Sequence, residues 1–301
     1  MRYLHHDVSG EEAGQTLRQL IPRIFHLSTH AFRRLKVRNG ICVNDNAQHV
    51  SSVVKAGDRI TIRLETEDST KENAEVHADL IRYMDEDMII LDKPAPMATL
   101  PGNHDQGTTL RDLLADVLGY DGSYKYHPVN RLDKGTSGLL CIARHDHAQH
   151  LLTAQLHQEG FLREYLAIVE GIPAQVSGRI DLPIGKVGTG ARRAVMEGGK
   201  SAITNYITEY SENGLSLVRL RLETGRTHQI RVHMAAMGTP ILGDYLYGHP
   251  QEALQDRFAL HSFHLACKQP ITGEPIDITS PLPDVLARYL PEYCKNERES
   301  C

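Results

Sequence analysis

Five consecutive apolar residues, Leu139-Leu140-Cys141-Ile142-Ala143, follow directly on a polar turn that runs from His127 to Gly138. An apolar run this short, bounded by turn residues, reads as a buried strand. The chain must therefore set this segment inside a sheet and leave the turn at its end. The turn carries one carboxylate, Asp133, near the cations Arg131 and Lys134, while Gly135 and Gly138 bracket Thr136-Ser137. Glycines there let the backbone turn tightly or approach a ligand closely. A carboxylate set beside cations stays ionised and held in place, which a nucleophile or base requires. The same residues also describe an ordinary surface loop closed by an ion pair, and the loop alone does not separate the two readings.

The pattern around this strand is rich in β-structure. Leu80–Pro94 reads as a strand, an acidic turn and a second strand stopped by Pro94. Thr109–Leu118 is an amphipathic helix with Thr109 at its cap, and a helix over His145–His157 ends before Gly160. Leu162–Gly171 alternates into an apolar strand. Two alternating runs, Ala202–Tyr210 and Leu215–Leu222, flank Asn213-Gly214 as a hairpin. A strand then enters Gly225, and a helix capped by Thr227 stops at Gly238. Late strands at Leu260–Leu265 and Glu274–Ile278 precede a short helix at Asp284–Leu290. Many strands, hairpins and few helices place the chain in the α+β class.

Residues 1–65 read as a separate small module. A short helix starts near Thr16 and is interrupted by Pro22, which could equally open the next element. Ser28-Thr29 lead into a basic helix, Val37–Asn44 reads as a hairpin about Asn39-Gly40, and Gly57–Leu64 alternates as a strand. The polar stretch 66–77 marks a linker, and 78–301 a second domain. The whole chain has a net charge of −5, yet residues 1–65 hold ten Lys/Arg against six Asp/Glu. A basic module on an acidic body can still meet RNA, because binding follows local charge. Those cations are also compatible with a solvated face that has no partner.

Five cysteines without C-x-x-C spacing point to reduced thiols in a cytoplasm. With no long apolar run and no charged-then-apolar leader, neither a membrane span nor a secretory signal is expected. The histidines of 145–157 invite a metal site, since His147 and His150 share a helix face. No carboxylate falls in the His-Glu-x-x-His spacing, so solvent-facing helix histidines are expected and no metal.

Residues Arg131-Leu132-Asp133-Lys134-Gly135-Thr136-Ser137-Gly138-Leu139-Leu140 resemble the catalytic motif of the RluA-type pseudouridine synthases, with Asn130 where the family usually has a histidine. Arg163-Glu164-Tyr165 resembles the second motif, and Gly225-Arg226-Thr227-His228-Gln229-Ile230-Arg231-Val232-His233 the third. Asp92-Lys93-Pro94 resembles the Asn-Lys-Pro that opens the domain, with Asp for Asn. The order of residues 1–65 loosely resembles an S4-type RNA-binding module, with Arg33, Arg34, Lys36 and Arg38 as its RNA-facing cations.

The resemblance implies a mixed, mostly antiparallel central sheet with flanking helices, and an α/β S4-like module in front. It implies isomerisation of particular uridines to pseudouridine in structured rRNA or tRNA, with the target base flipped out of its strand. Asp133 would be the catalytic carboxylate and Arg226 its ionic partner. Tyr165 would stack on the base, although a core tyrosine with a satisfied hydroxyl is an equal reading of its place in a strand. Arg131 would fill the gap in the RNA, and His228, Gln229 and Arg231 would contact substrate. No cofactor, metal or membrane partner is implied, and a cytoplasmic monomer is expected. The residues leave open whether Asp133 attacks the ribose, attacks uracil C6, or removes a ribose proton. An RNA-binding protein without catalysis and a metal-dependent hydrolase built on His145–His157 are the competing classes.

Overall fold

The computed structural model describes residues 2–64, 78–101, 108–119, 124–156 and 160–293, so the stretch expected to be a linker lies outside the described residues. The first 64 residues form β1 (Arg2–Asp7), α1 (Leu17–Ile24), α2 (Thr29–Val37), β2 (Ile41–Val43), β3 (Asn46–Ala47) and β4 (Arg59–Leu64). The strands make a four-stranded antiparallel sheet in the order β1-β4-β2-β3. Leu17, Leu20 and Ile21 on one face of α1 pack with Ile60 and Ile62 of β4 in a core of their own. Ser28 Oγ caps α2 by accepting from the Ala31 N–H at 3.2 Å.

Two local expectations in this region are corrected. Pro22 lies inside α1 rather than ending it. Asn39-Gly40 is not a hairpin turn: Val37 is still helical, and Asn39 (φ +49°) turns the chain out of α2 into β2. The true hairpin turn is Asn44-Asp45, with both residues in the left-handed region (φ +48° and +64°).

The rest of the chain runs β5 (Ile81–Met84), β6 (Met88–Lys93), α3 (Leu110–Leu118), β7 (His127–Pro128), β8 (Ser137–Ala143), α4 (Asp146–Leu156), β9 (Leu162–Glu170) and β10 (Ser177–Asp181). It continues with β11 (Ile184–Lys186), β12 (Arg193–Val195), β13 (Ile203–Glu212), β14 (Leu215–Leu222), α5 (Gln229–Ala236), β15 (Leu260–Lys268), β16 (Pro275–Thr279) and α6 (Asp284–Ala287). Ten of these strands share one sheet, ordered β10-β13-β14-β9-β15-β8-β6-β5 with β16 on β15 and β7 on β8. Only β8 and β15 run parallel, so the sheet is mixed and mostly antiparallel as expected.

β8 is buried along all seven residues. Leu140 and Ile142 meet Leu110, Leu113 and Leu114 of α3 on one side, while Leu139, Cys141 and Ala143 meet Ala148 and Leu152 of α4 on the other. A strand that is apolar on both faces needs helices on both faces, which accounts for the uninterrupted apolar run. β11 and β12 form a separate two-stranded flap, antiparallel with Gly185 opposite Ala194.

The front module touches the body through ion pairs. Arg34 of α2 pairs with Asp146 at the start of α4, and Arg2 reaches Glu86 and, at 3.3 Å, Asp87. Of the histidines expected to face solvent, His150 is exposed, whereas His145 and His147 are buried. His145 shares a hydrogen bond with Asp87 Oδ1 at 2.9 Å, and Gln269 donates to the other oxygen of Asp87 at 2.7 Å. His147 is also buried, and burial together with His145 and His150 pushes its pKa down to about 4. His157 lies outside the described residues, and among the described ones no three His, Cys, Asp or Glu side chains are arranged to hold a metal. No helix among them is long and apolar enough to cross a membrane.

Candidate active site

An open cleft of about 680 Å³ lies where the loop before β8, strand β9 and the N-terminus of α5 meet. Asp133 sits on that loop, and the loop is pinned from several sides. Thr99 Oγ1 donates to the Leu132 carbonyl at 2.8 Å, and the Met97 N–H donates to the Lys134 carbonyl at 2.9 Å. Asn130 Oδ1 accepts from the Cys141 N–H at 2.9 Å, tying the loop back to β8. Gly135 lies against the Phe258 ring, which a Cβ would approach to 2.6 Å. Gly138 (φ +104°) lies so close to β15 that a Cβ would stand 2.2 Å from the Ser262 carbonyl oxygen. Both glycines are there because neighbouring strands and loop close on each other without a side chain between.

Beneath the loop, Lys93 at the end of β6 has no exposed surface and donates to the carbonyls of Pro94 (3.0 Å), Met97 (2.8 Å) and Lys134 (3.4 Å). Burial pushes its pKa down to about 7 against the opposing pull of Asp133.

The cation that holds Asp133 is Arg231, not Arg226. Arg231 Nη1 donates to Asp133 Oδ2 at 3.2 Å, while Nε and Nη2 donate to the two oxygens of the fully buried Asp244 at 2.7 and 2.8 Å. The Phe258 ring backs the guanidinium at 4.1 Å from its centroid. Burial works against this charge, but the hydrogen bonds and negative charges of Asp244 and Asp133 outweigh it and raise the Arg231 pKa. The result is a guanidinium fixed on one side by a bidentate pair and offering its remaining edge to Asp133. Asp133 keeps 26% of its side chain exposed to the cleft, against 2% for Arg231.

Arg226 lies in the cleft wall but is exposed, and its Nε donates to the Ser201 carbonyl at 2.8 Å. The reason is the entry to α5. Thr227 does not cap this helix; His228 occupies the N-cap position in the left-handed region (φ +59°). That turn carries Arg226 towards Ser201 and brings Arg231, in the first helical turn, inward. Gln229 is buried and braces the same corner: Oε1 accepts from the Arg226 N–H (2.9 Å) and the Thr224 hydroxyl (2.8 Å), and Nε2 donates to the Ile203 carbonyl (2.9 Å). Gln229 and Arg231 both line the cleft, but each is buried and its polar atoms are engaged by protein partners.

Tyr165 on β9 is 4% exposed and lines the cleft, with burial raising its phenol pKa. Arg131 lines the same cleft and is exposed. His228 Nε2 stands 4.0 Å from Asp133 Oδ2. In the front module Arg33, Lys36 and Arg38 are exposed, whereas Arg34 is occupied with Asp146. Sequence reasoning missed Lys93, Asp244 and Tyr247 as parts of the site. Lys93 was visible beside Pro94, but nothing in the local pattern marks Asp244 or Tyr247.

Residues 87–236 match the family model described as RNA pseudouridylate synthase. The chain is 36% identical over 280 residues to the uncharacterised RNA pseudouridine synthase YhcT of Bacillus subtilis, covering 92% of each. It is also 36% identical over 312 residues to the ribosomal large subunit pseudouridine synthase D of Haemophilus influenzae, covering 94% of this chain and 93% of that one. Among solved structures, human RNA pseudouridylate synthase domain containing 1 is similar with a TM-score of 0.53 at 26% identity, covering 67% of this chain and 82% of its own. Human RNA pseudouridylate synthase domain containing 4 has the same fold with a TM-score of 0.59 at 22% identity, covering 72% and 94%.

Proposed function

The chain belongs to the RNA pseudouridylate synthase family and isomerises uridine in RNA to pseudouridine, and from that premise we propose that Asp133 is the carboxylate that performs the isomerisation. The reaction breaks the bond between uracil N1 and ribose C1′ and forms one between C5 and C1′. N1 gains a proton and C5 loses one, so nothing is oxidised or reduced. One carboxylate acting at the ribose or the base, inside a cleft wide enough for a nucleoside, supplies what such a step requires.

The observation that carries this reading is the geometry of Asp133. It is the carboxylate at the floor of the cleft, its loop is pinned on both sides, and Arg231 holds one of its oxygens. The exposed oxygen is left for the substrate. A uridine within structured RNA reaches this floor only by leaving its strand, at a penalty of about a few kcal/mol. Tyr165 offers the extruded base a ring to stack on, and Arg131 a cation and a flat surface for the space left behind.

The substrate is structured ribosomal RNA of the large subunit, a proposal that rests on relatives such as the Haemophilus influenzae synthase, alike over nearly their whole length. The front module is an S4-like RNA-binding unit that presents Arg33, Lys36 and Arg38, joined through residues 66–77 to a catalytic domain over 78–301. The protein acts in the cytoplasm as a monomer without a cofactor.

The test is tritium release from RNA labelled with 5-tritiated uridine, extracted from cells of the source organism lacking this gene. Wild type releases tritium, whereas Asp133→Asn binds the RNA and releases none. Turnover by Asp133→Asn at more than a few per cent of the wild-type rate would remove Asp133 from the chemistry.

A further inference from the structure

Tyr247 touches three groups around the cleft floor. Its hydroxyl oxygen accepts from the Arg193 backbone N–H at 2.8 Å, at the first residue of β12. The same hydroxyl lies 2.8 Å from His228 Nδ1. The centroid of its ring lies 5.0 Å from the Arg231 guanidinium carbon. The flap made by β11 and β12 is anchored here, because Ile184 and Val195 pack with Ala202, Val232 and Tyr247 in a small core of their own.

The proton positions along this chain can be read from the partners. A backbone N–H can only donate, so the Tyr247 oxygen is an acceptor towards Arg193. Among the described residues the phenol proton has one acceptor within hydrogen-bond distance, His228 Nδ1. Burial raises the Tyr247 pKa, which keeps that proton on the phenol at neutral pH. Nδ1 therefore accepts, and a neutral imidazole must carry its own proton on Nε2. Burial lowers the His228 pKa and the nearby Arg231 and Arg193 lower it further, against the pull of Asp133 and Asp244, so the ring is neutral at pH 7. Its Nε2–H then faces the cleft, 4.0 Å from Asp133 Oδ2. That is too long for a hydrogen bond between the two, so the donor is left for whatever occupies the cleft.

We propose that His228 is a catalytic hydrogen-bond donor to the detached uracil, and that Tyr247, held by the flap backbone at Arg193, is the positioning residue that fixes it as the Nε2–H tautomer. The inference rests on Asp133 being the reactive carboxylate, because it places the base beside that group. When the N1–C1′ bond breaks, its electron pair leaves with uracil, and the negative charge spreads over N1 and the two carbonyl oxygens. Bonding of C5 to C1′ spends that electron pair and leaves the ring neutral. Departure of the C5 proton to water then returns negative charge to N1 and the carbonyl oxygens, and a proton from water taken up at N1 ends it. A neutral donor already aimed at this place stabilises the anion without taking or giving a proton. The same proton arrangement means that a flap displaced from Tyr247 frees the phenol to rotate, and His228 loses its fixed donor direction.

Two measurements test this. In protein carrying ¹⁵N-labelled histidine, long-range nitrogen–proton spectra at pH 7 should show His228 with Nε2 protonated and Nδ1 bare, the assignment made by loss of its signals in His228→Gln. Tyr247→Phe should convert that pattern to a mixture of tautomers. A wild-type His228 protonated on Nδ1, or on both nitrogens, overturns the proposal without any variant. In single-turnover tritium release from the labelled RNA described above, His228→Ala should fall about 100-fold. His228→Gln, whose amide N–H reaches the same region, should recover to within about tenfold of wild type, and Tyr247→Phe should lose roughly tenfold, or 1.4 kcal/mol. RNA affinity should change less than about threefold in all three. Equal losses in the alanine and glutamine variants, or losses confined to RNA affinity, refute the donor role. Asp133→Asn is run beside them: if it stays active, the carboxylate reading falls and this inference with it. If it is dead while His228→Ala turns over normally, only the inference on His228 falls.

Discussion

Arg231 and Arg226 lie five residues apart and only Arg231 holds Asp133, so replacing each with methionine separates two accounts of the site. Arg231→Met removes a charged hydrogen bond to Asp133 (3.2 Å) and both bonds to Asp244 (2.7 and 2.8 Å). Asp244 has no exposed surface, so its charge is left buried and unpaired, a loss of about 3–5 kcal/mol. At that size the thermal midpoint falls on the order of 10 °C. The lost bond to Asp133 is worth about 1.5–3 kcal/mol, which in a rate reads as roughly a 10- to 150-fold fall. Arg226→Met gives up one hydrogen bond from an exposed side chain to the Ser201 carbonyl (2.8 Å) and should leave the midpoint within about 2 °C. Its effect should appear in RNA affinity, with single-turnover tritium release at saturating RNA within about threefold of wild type.

The double variant Arg231→Met/Asp244→Leu separates orientation from folding. Replacing both members of a buried pair with apolar groups of similar volume is often neutral, so stability should recover in part while the rate stays low. It stops short of wild type because the Leu246 and Tyr247 backbone N–H groups lose the Asp244 oxygen they donate to. A double variant that is stable and turns over at the wild-type rate would falsify the assignment of Arg231. So would an Arg226→Met protein that binds RNA but is dead.

Lys93 is buried with its pKa depressed to about 7, so between that pH and its ordinary 10.5 the unfolded chain binds the extra proton. Its contribution to stability is then greatest above pH 10.5 and is lost as pH falls towards 7, by up to about 1.4 kcal/mol per pH unit. Urea unfolding of wild type and Lys93→Met between pH 7 and 9.5 should show the difference moving in favour of wild type as pH rises. Gly138→Ala should prevent folding or destabilise by more than about 4 kcal/mol, because its Cβ would meet the Ser262 backbone at 2.2 Å where β8 pairs with β15; circular dichroism melts read this directly. If the front module binds RNA through phosphate contacts, Arg33→Ala and Lys36→Ala should each reduce the slope of log affinity against log salt by about 1. Arg34→Ala, whose partner is Asp146, should change that slope little.

Much of the sheet was legible because its strands obey a period of two and its hairpins carry the turn residues their geometry demands. Asn213 (φ +50°) and Gly214 (φ +77°) occupy the left-handed positions of the β13–β14 turn, as an Asn-Gly pair between alternating runs requires. The identical dipeptide at 39–40 follows a helical rather than an alternating run, and there it ends α2 instead. The dipeptide reports a left-handed residue, and only the period before it says which element that residue closes. β1 escaped notice because Leu4 alone of its six residues is buried. A strand that buries one side chain leaves no alternation to read.

The site was legible in its carboxylate and less so in its partner. Asp133 is held by contacts within its own loop and the neighbouring strands, features that leave glycines and threonines in the local sequence. The choice between Arg226 and Arg231 turns on one left-handed residue, His228, and on Asp244, thirteen positions beyond Arg231 and adjacent only in three dimensions. A buried ion pair adds little to stability over apolar side chains of the same volume, so what Asp244 gives the fold beyond leucine is chiefly the two backbone N–H bonds that its Oδ1 accepts from Leu246 and Tyr247. What the pair does supply is a guanidinium with no freedom left, because Asp244 takes two of its nitrogens and Phe258 one face. The nitrogen that remains can point only at Asp133. The polar core beside the cleft is thus better explained by the direction it imposes on one carboxylate than by any stability it lends the sheet.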